Sequence, residues 1–323
     1  MSFRILTAND VRAALTMPDA IAAMRVAFGE FSAGRAEVPM RSRLVSPQGV
    51  TLVMPALMAD KGALGVKIVS IFENNPAQGL PTVTAAVLVL DPATGMPLAL
   101  MDGTGLTALR TGAAGGLAAD LLARKDAAVM ALFGAGVQAR AQLAAVRAVR
   151  DIYRVNLVDP DEKAAMALMA EVATSEKAPA ITYFNDAEAA VAEADIVAAA
   201  TTSRKPVFDG RHLRPGTHVT GVGSFTPEMQ EIDAETIRRA RVVVDSREAC
   251  AAEAGDLIVA GALDRIDAEI GEIVNGAYPG REDDEQITYF KSVGLAVQDA
   301  AVAAAVLDAA QAKDLGTVVE LDA

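Results

Sequence analysis

The apolar run Ala128-Val129-Met130-Ala131-Leu132-Phe133 passes without a break into Gly134-Ala135-Gly136. From about Gln138 to Val149 the apolar residues then recur at helical spacing. Such a run describes a strand covered on both faces, as in a parallel sheet flanked by helices. A second strand, Val155-Asn156-Leu157-Val158, ends at Asp159, roughly twenty residues beyond the glycines. Strand, glycine turn, helix, strand and acid, in that order, make a dinucleotide-binding βαβ unit. Gly134 permits the tight turn and Gly136 lets the backbone approach a pyrophosphate. Ala139, in the third glycine place, is small enough for the helix to lie on the strand. The phosphates are expected against Ala135, Gly136, Val137 and Gln138, where free N–H groups and the helix dipole favour an anion. Asp159 is expected to accept hydrogen bonds from the adenosine ribose. A carboxylate there repels a 2′-phosphate, so NAD(H) is favoured, with NADP(H) as the alternative. Asp is also a common helix cap, so Asp159 can serve the next helix as well.

The alternation continues downstream. Pro160-Asp161-Glu162-Lys163 opens a helix, and strands are expected at Ala180–Phe184, Ile196–Ala200, His218–Gly221 and Val242–Asp245. This is the pattern of an α/β, doubly wound parallel sheet. Upstream the character differs. Residues 8–33 carry one helical pattern through Val11, Leu15, Ile21, Met24, Phe28 and Phe31, with Asp10 and Pro18-Asp19 as start signals. From 38 to 100 come short β runs at Ser42–Ser46, Thr51–Pro55, Leu64–Ile71, Thr82–Leu90 and Pro97–Met101, parted by turn chemistry such as Pro47-Gln48-Gly49. Leu106–Arg124 turns helical. Its small-residue run Gly112–Gly116 suits close backbone approach but weakens the start of the helix. Ile287–Gly294 breaks the alternation before an Ala-rich helix from about 296 to 313. A chain of 323 residues exceeds one comfortable core, and no repeat or low-complexity linker divides it, so two tightly joined domains are expected.

The balance of 29 basic against 42 acidic residues, net −13, argues against nucleic acid, which needs a basic footprint. One cysteine allows no intrachain disulfide, and with two histidines no metal site is expected. Cys250 reads as a small packing residue, and His212 and His218 as surface or capping residues. No stretch reaches the ~18 apolar residues of a membrane span, and the opening residues read as a strand start without a signal-peptide core. The expectation is a cytoplasmic enzyme.

Three cations stand in or beside apolar strands: Arg41, Lys67 and Arg110. A lone basic residue commonly snorkels to the surface or pairs there. Lys67, inside Leu64-Gly65-Val66-Lys67-Ile68-Val69, is costlier, because a buried ammonium needs a compensating anion. Together with this segment, several others resemble the ornithine cyclodeaminase/mu-crystallin family. They are Gly79-Leu80-Pro81-Thr82, Leu106–Ala113, Gly134–Ala139, Gly221-Val222-Gly223-Ser224, Pro227, Glu231-Ile232-Asp233 and Lys291-Ser292-Val293-Gly294. The resemblance spans nearly the whole chain in order. It implies a homodimer whose smaller α+β substrate-binding and dimerisation domain is discontinuous, 1–113 plus 295–323. A Rossmann-type dinucleotide domain, 114–294, is inserted into it. Arg41, Lys67 and Arg110 look like the family's grip on the carboxylate of a small imino or amino acid. Thr82, Thr111, Gln138, Asp159, Thr201, Val222 and Ser292 look like cofactor contacts.

One position departs from the family's cyclodeaminases. Their acid/base aspartate aligns with Phe225, which moves no proton, and Glu228 and Glu231 downstream are expected to cap or line the next helix. The resemblance therefore points to an NAD(P)H-dependent reductase of a cyclic ketimine acid, such as Δ1-pyrroline-2-carboxylate or Δ1-piperideine-2-carboxylate, with Lys67 tuning the imine's proton. The alternatives are deamination of the ornithine cyclodeaminase or alanine dehydrogenase kind, and a non-enzymatic, mu-crystallin-like ligand-binding protein.

Overall fold

The computed structural model describes residues 2–175 and 177–320. Strand β1 (Ser2–Leu6) is followed by two helices rather than one, Ala8–Ala14 and Met17–Ser32. Thr16 takes an extended conformation between them and restarts the helix, which periodicity alone does not reveal. The caps are the threonines. Thr7 and Thr16 accept from the backbone N–H groups of Asp10 and Asp19, so those acids serve one turn inside the helices they were read as starting. A meander follows: β2 (Ser42–Ser46), β3 (Gly49–Met58), β4 (Ala63–Ile71), β5 (Val83–Leu90) and β6 (Pro97–Asp102). Neighbours pair antiparallel, with Lys67 opposite Met54 on one side and Val87 on the other. The period of two along β4 buries Gly65, Lys67 and Val69 on one face and leaves Val66, Ile68 and Ser70 on the other. Helix Gly103–Leu122 starts earlier than its glycines led one to expect and runs unbroken through them.

Two compact units divide within this helix. One takes the chain up to Arg110 together with the segment from Leu295 on, and the other is Thr111–Gly294. The second unit contains β7 (Val129–Phe133), β8 (Arg154–Val158), β9 (Ala180–Tyr183), β10 (Ile196–Ala199), β11 (His218–Gly221), β12 (Arg241–Val244), β13 (Ile266–Glu269) and β14 (Thr288–Lys291). They form one sheet in the order β13-β12-β14-β11-β10-β7-β8-β9, every pair parallel. The chain winds outward from β7 to β9, returns, and resumes on the other side at β10, which puts the topological switch between β7 and β10. The stretch read as a break is thus an interior strand, β14, between β11 and β12. Helix Val137–Val149 sends Leu143 and Val146 into a core with Met130, Leu132, Val155 and Leu157.

The chain then completes the first unit with helix Ala296–Ala312 and β15 (Thr317–Glu320), an unanticipated strand antiparallel to β1. The first sheet has the order β15-β1-β6-β5-β4-β3-β2. The returning helix packs on β3, β4 and helix Met17–Ser32. It comes close because Gly65 lacks a side chain: a Cβ there would lie 3.3 Å from Ala300 Cα. Among the described residues no helix is long and apolar enough to cross a membrane.

Candidate functional site

In the second unit, five candidate positions fall just past the carboxyl ends of adjacent parallel strands. Gly134 follows β7, Asp159 follows β8, Thr201 lies beyond β10, Val222 follows β11 and Ser292 follows β14. Open parallel sheets bind ligands at this edge, beside the switch point. Gly134 has φ +102°, and a Cβ there would stand 2.7 Å from the Ala200 carbonyl oxygen, so only glycine fits the turn. Gly136 begins helix Val137–Val149 with no side-chain cap, and a Cβ on it would meet no atom of the protein within 4 Å. The free N–H groups of this helix start face open space, and Gln138 Oε1 is buried without a partner. These features fit a dinucleotide's phosphates.

Asp159 closes the loop from the second strand. Its Oδ2 accepts from Ala135 N at 2.7 Å and its Oδ1 from Asp161 N at 2.7 Å. It does not cap the following helix; Asp161 does, accepting from Lys163 N and Ala164 N. Arg140 reaches back to the carbonyls of Ala135 and Gly136 and pairs with Glu171 at 2.6 Å. The Thr111 carbonyl accepts from Gln142 Nε2 at 3.0 Å, which ties that residue to the helix starting at the loop. Thr82 belongs to the first unit, where its carbonyl accepts from Phe72 N.

Beneath these strand ends lies a buried polar scaffold that residue spacing did not disclose. Glu231 does not line or cap the next helix, whose cap is Asp233. Its Oε1 accepts from Thr201 N, and its Oε2 accepts from Gly223 N at 2.6 Å and Ser224 N at 3.1 Å. Burial raises its carboxyl above the ordinary value, against the pull of Lys291 and the Thr201 N–H. Asp256 receives the N–H groups of Glu231 and Ile232, the Tyr289 hydroxyl at 3.1 Å and the Lys291 ammonium at 2.9 Å. Ser292 donates to Asp245 Oδ2 at 2.8 Å, which also takes Val293 N and Gly294 N. Cys250 is buried beside Asp245, and burial with that charge pushes its thiol up, as befits a packing residue. His218 is not at the surface. It is fully buried between the Thr288 and Thr220 hydroxyls, and burial, with Arg281 and Arg150 near, pushes its pKa down to about 3.

The first unit holds the cations. Lys67 is buried in mid-strand, and its Nζ lies 2.7 Å from Asp299 Oδ2. The other oxygen of Asp299 receives Arg110 Nε at 3.1 Å, while Arg110 Nη1 donates to Gln298 Oε1 at 3.0 Å. Arg41, just before β2, is near enough for its charge to act on Lys67. Burial is the largest influence on Lys67 and brings its pKa down to about 8, helped by Arg110 and Arg41 and opposed by Asp299. Asp299 was not singled out from the sequence. The signal was available: a carboxylate on an Ala-rich helix, on the side shared with Ala296, Ala300 and Ala303, faces the core rather than water.

Compared with known proteins, residues 1–314 match the ornithine cyclodeaminase/mu-crystallin family. The chain belongs to this family. A Δ(1)-pyrroline-2-carboxylate reductase of Bacillus cereus is 40% identical over 324 residues, covering 98% of this chain and 99% of that protein. Among solved structures, the Thermococcus litoralis Δ(1)-pyrroline-2-carboxylate reductase in complex with NADH and L-proline superposes with TM-score 0.92. It is 41% identical over 97% of this chain and 99% of that one. An archaeal alanine dehydrogenase dimer with bound NAD gives TM-score 0.93 and 38% identity over 99% and 100% of the two chains. Within the family's glycine segment Phe225 is exposed, and the two carboxylates that follow it in sequence are engaged elsewhere or solvated. Glu231 is taken up by three backbone donors, and Glu228 lies out in solvent. Among the described residues no group of His, Cys, Asp and Glu is arranged to hold a metal ion.

Proposed function

We propose that this chain is an NAD(H)-dependent reductase that converts a cyclic ketimine acid, Δ1-pyrroline-2-carboxylate or Δ1-piperideine-2-carboxylate, into proline or pipecolate. The observation that carries the reading is the buried Lys67–Asp299–Arg110 cluster. Two cations there share one carboxylate in apolar surroundings, so a second carboxylate, the substrate's, is strongly favoured. The nicotinamide, when bound, supplies the hydride. The chain supplies position and charge: Arg110 and Arg41 orient the carboxylate, and Lys67 governs the proton on the adjacent nitrogen. Orientation of this kind lowers a barrier by roughly 7–11 kcal/mol in ideal cases. Reduction asks for no strong base, whereas cyclodeamination does, and the loop at Phe225 offers none.

Gly134, Ala135, Gly136, Val137, Gln138, Asp159, Thr201, Val222 and Ser292 form the cofactor side of this reading, with Thr82 and Thr111 as further contacts. The Asp159 carboxylate favours NADH, and kcat/KM with NADPH should be lower by roughly tenfold or more. The working unit is a homodimer, a reading supported by the dimeric alanine dehydrogenase relative, and its compartment is the cytoplasm. That relative also favours a second reading, reductive amination of an open-chain keto acid. Purified protein with NADH should oxidise it rapidly with pyrroline-2-carboxylate and at least tenfold more slowly with pyruvate plus ammonia. The reverse ranking would make the second reading correct. Tight NADH binding with no turnover of either would leave a ligand-binding protein.

A further inference from the structure

Asp299 is placed to do more than neutralise an arginine. Arg110 already has Gln298 as an acceptor, yet Asp299 spends one oxygen on it and turns the other toward Lys67. The helix carrying it is brought within reach of β4 by the missing side chain at Gly65, two residues before Lys67 on the same sheet face. The groups around Lys67 are Asp299 from helix Ala296–Ala312, Arg110 from helix Gly103–Leu122, Arg41 from the segment before β2, and the apolar Met54 and Val87 from the flanking strands. Asp299 is the anion among them, and burial and both arginines work against a charged lysine.

We propose that Asp299 is a positioning residue for the reduction, holding Lys67 protonated and beside Arg110 so that the ammonium gives its proton to the imine nitrogen. This rests on the reductase reading above. For a neutral cyclic imine the step balances: the C=N π bond breaks, the carbon takes the hydride of NADH with its electron pair, and the nitrogen takes a proton from Lys67 Nζ. The lysine is left neutral and regains a proton from water. Without the carboxylate, burial, Arg110 and Arg41 all push Lys67 toward its neutral form, from a starting pKa of about 8.

The test is the pH dependence of kcat/KM for NADH-dependent reduction of pyrroline-2-carboxylate by wild type, D299N and K67M. Taking the ratio of variant to wild type removes the substrate's own ionisation. The D299N ratio should lie within about threefold of unity near pH 6 and fall tenfold or more by pH 8, the alkaline limb having moved acidward. The K67M ratio should be low and flat. A D299N ratio that is constant across this range assigns Asp299 a merely structural role and overturns the proposal. Should D299N not fold, D299E carries the test, because it keeps the charge: the wild-type limb is expected, and an acidward limb would sink the idea. If wild type reduces no ketimine acid, the functional reading fails on its own. Calorimetric titration of L-proline into the NADH complex then tests Asp299 separately, with binding by D299N expected to weaken at lower pH than binding by wild type.

Discussion

Two glycines, two residues apart, illustrate what single residues do in this chain. Gly134 sits at φ +102° with the Ala200 carbonyl 2.7 Å from any added Cβ, whereas Gly136 has nothing within 4 Å and an ordinary negative φ. Gly134→Ala should therefore cost about 1–3 kcal/mol of stability, or several degrees of melting temperature. Gly136→Ala should leave the melting temperature where it is and weaken NADH binding roughly tenfold, since its methyl group enters the space read as the pyrophosphate's. Calorimetric melts and NADH titrations of the two variants check this; equal effects on both measurements would remove the argument. Lys67, proposed above to serve the reduction, makes the complementary case of a group buried at the expense of stability. Losing its proton near pH 8 rather than 10.5 corresponds to a cost of about 3 kcal/mol for the charged, buried form at neutral pH. Between these two pH values the folded chain holds fewer protons than the unfolded one, so this residue's contribution to stability rises with pH across that window and is constant below it. Lys67→Met leaves Arg110 on Asp299 and should melt no lower than wild type at pH 7, with any advantage vanishing toward pH 10, while reduction is lost. A variant that melts well below wild type at pH 7 would show the lysine to be a net stabiliser.

At the scale of elements, the loops after β10 and β11 are held by one carboxylate. Glu231 takes Thr201 N on one oxygen and Gly223 N and Ser224 N on the other, and β14 supports it through Lys291, Tyr289 and Asp256. Glu231→Gln turns an acceptor into a donor facing backbone N–H groups, which leaves buried donors unpaired at about 1–3 kcal/mol each. The expected result is a lower melting temperature and a KM for NADH raised several-fold, with KM for the imine moved less; a selective rise in the imine's KM would contradict it. This network also shows where reading from the sequence stops. The strand, glycine loop, helix and Asp159 were legible because period and spacing are local properties. The strand β14 was not, since Thr288 and Lys291 look polar until His218 and Asp256, far away in sequence, supply their partners. Asp299, Glu231 and the buried His218 were missed or misplaced for the same reason: each is defined by a neighbour more than sixty residues off or by the packing of a loop, not by a motif. The single helical pattern over 8–33 failed in the opposite way. Its hydrophobic period survives the break at Thr16, which only the backbone conformation reveals.

For the whole molecule the question is what covers the outer face of the first sheet. Helices pack on the face that buries Gly65, Lys67 and Val69, while on the other Ile68 is 48% exposed, Leu100 38% and Ile5 40%. Edge strand β2 adds Leu44, which pairs through Thr51 with Ser70 on the same face and is 64% exposed. The homodimer proposed above would bury exposed apolar residues such as these. Net charge opposes the pairing, because each copy carries −13, so association must come from apolar burial and should tighten as salt screens the repulsion. Ile68→Asp combined with Leu100→Asp places two carboxylates on that face without touching the buried one, so the fold should persist. Light scattering coupled to gel filtration is expected to give twice the monomer mass for wild type and the monomer mass for the double variant, with far-UV circular dichroism unchanged. NADH binding, for which most of the proposed contacts belong to the other unit, should survive the change. A wild type that is monomeric at micromolar concentration, or a double variant that remains dimeric, would mean that copies of this chain do not meet through this face.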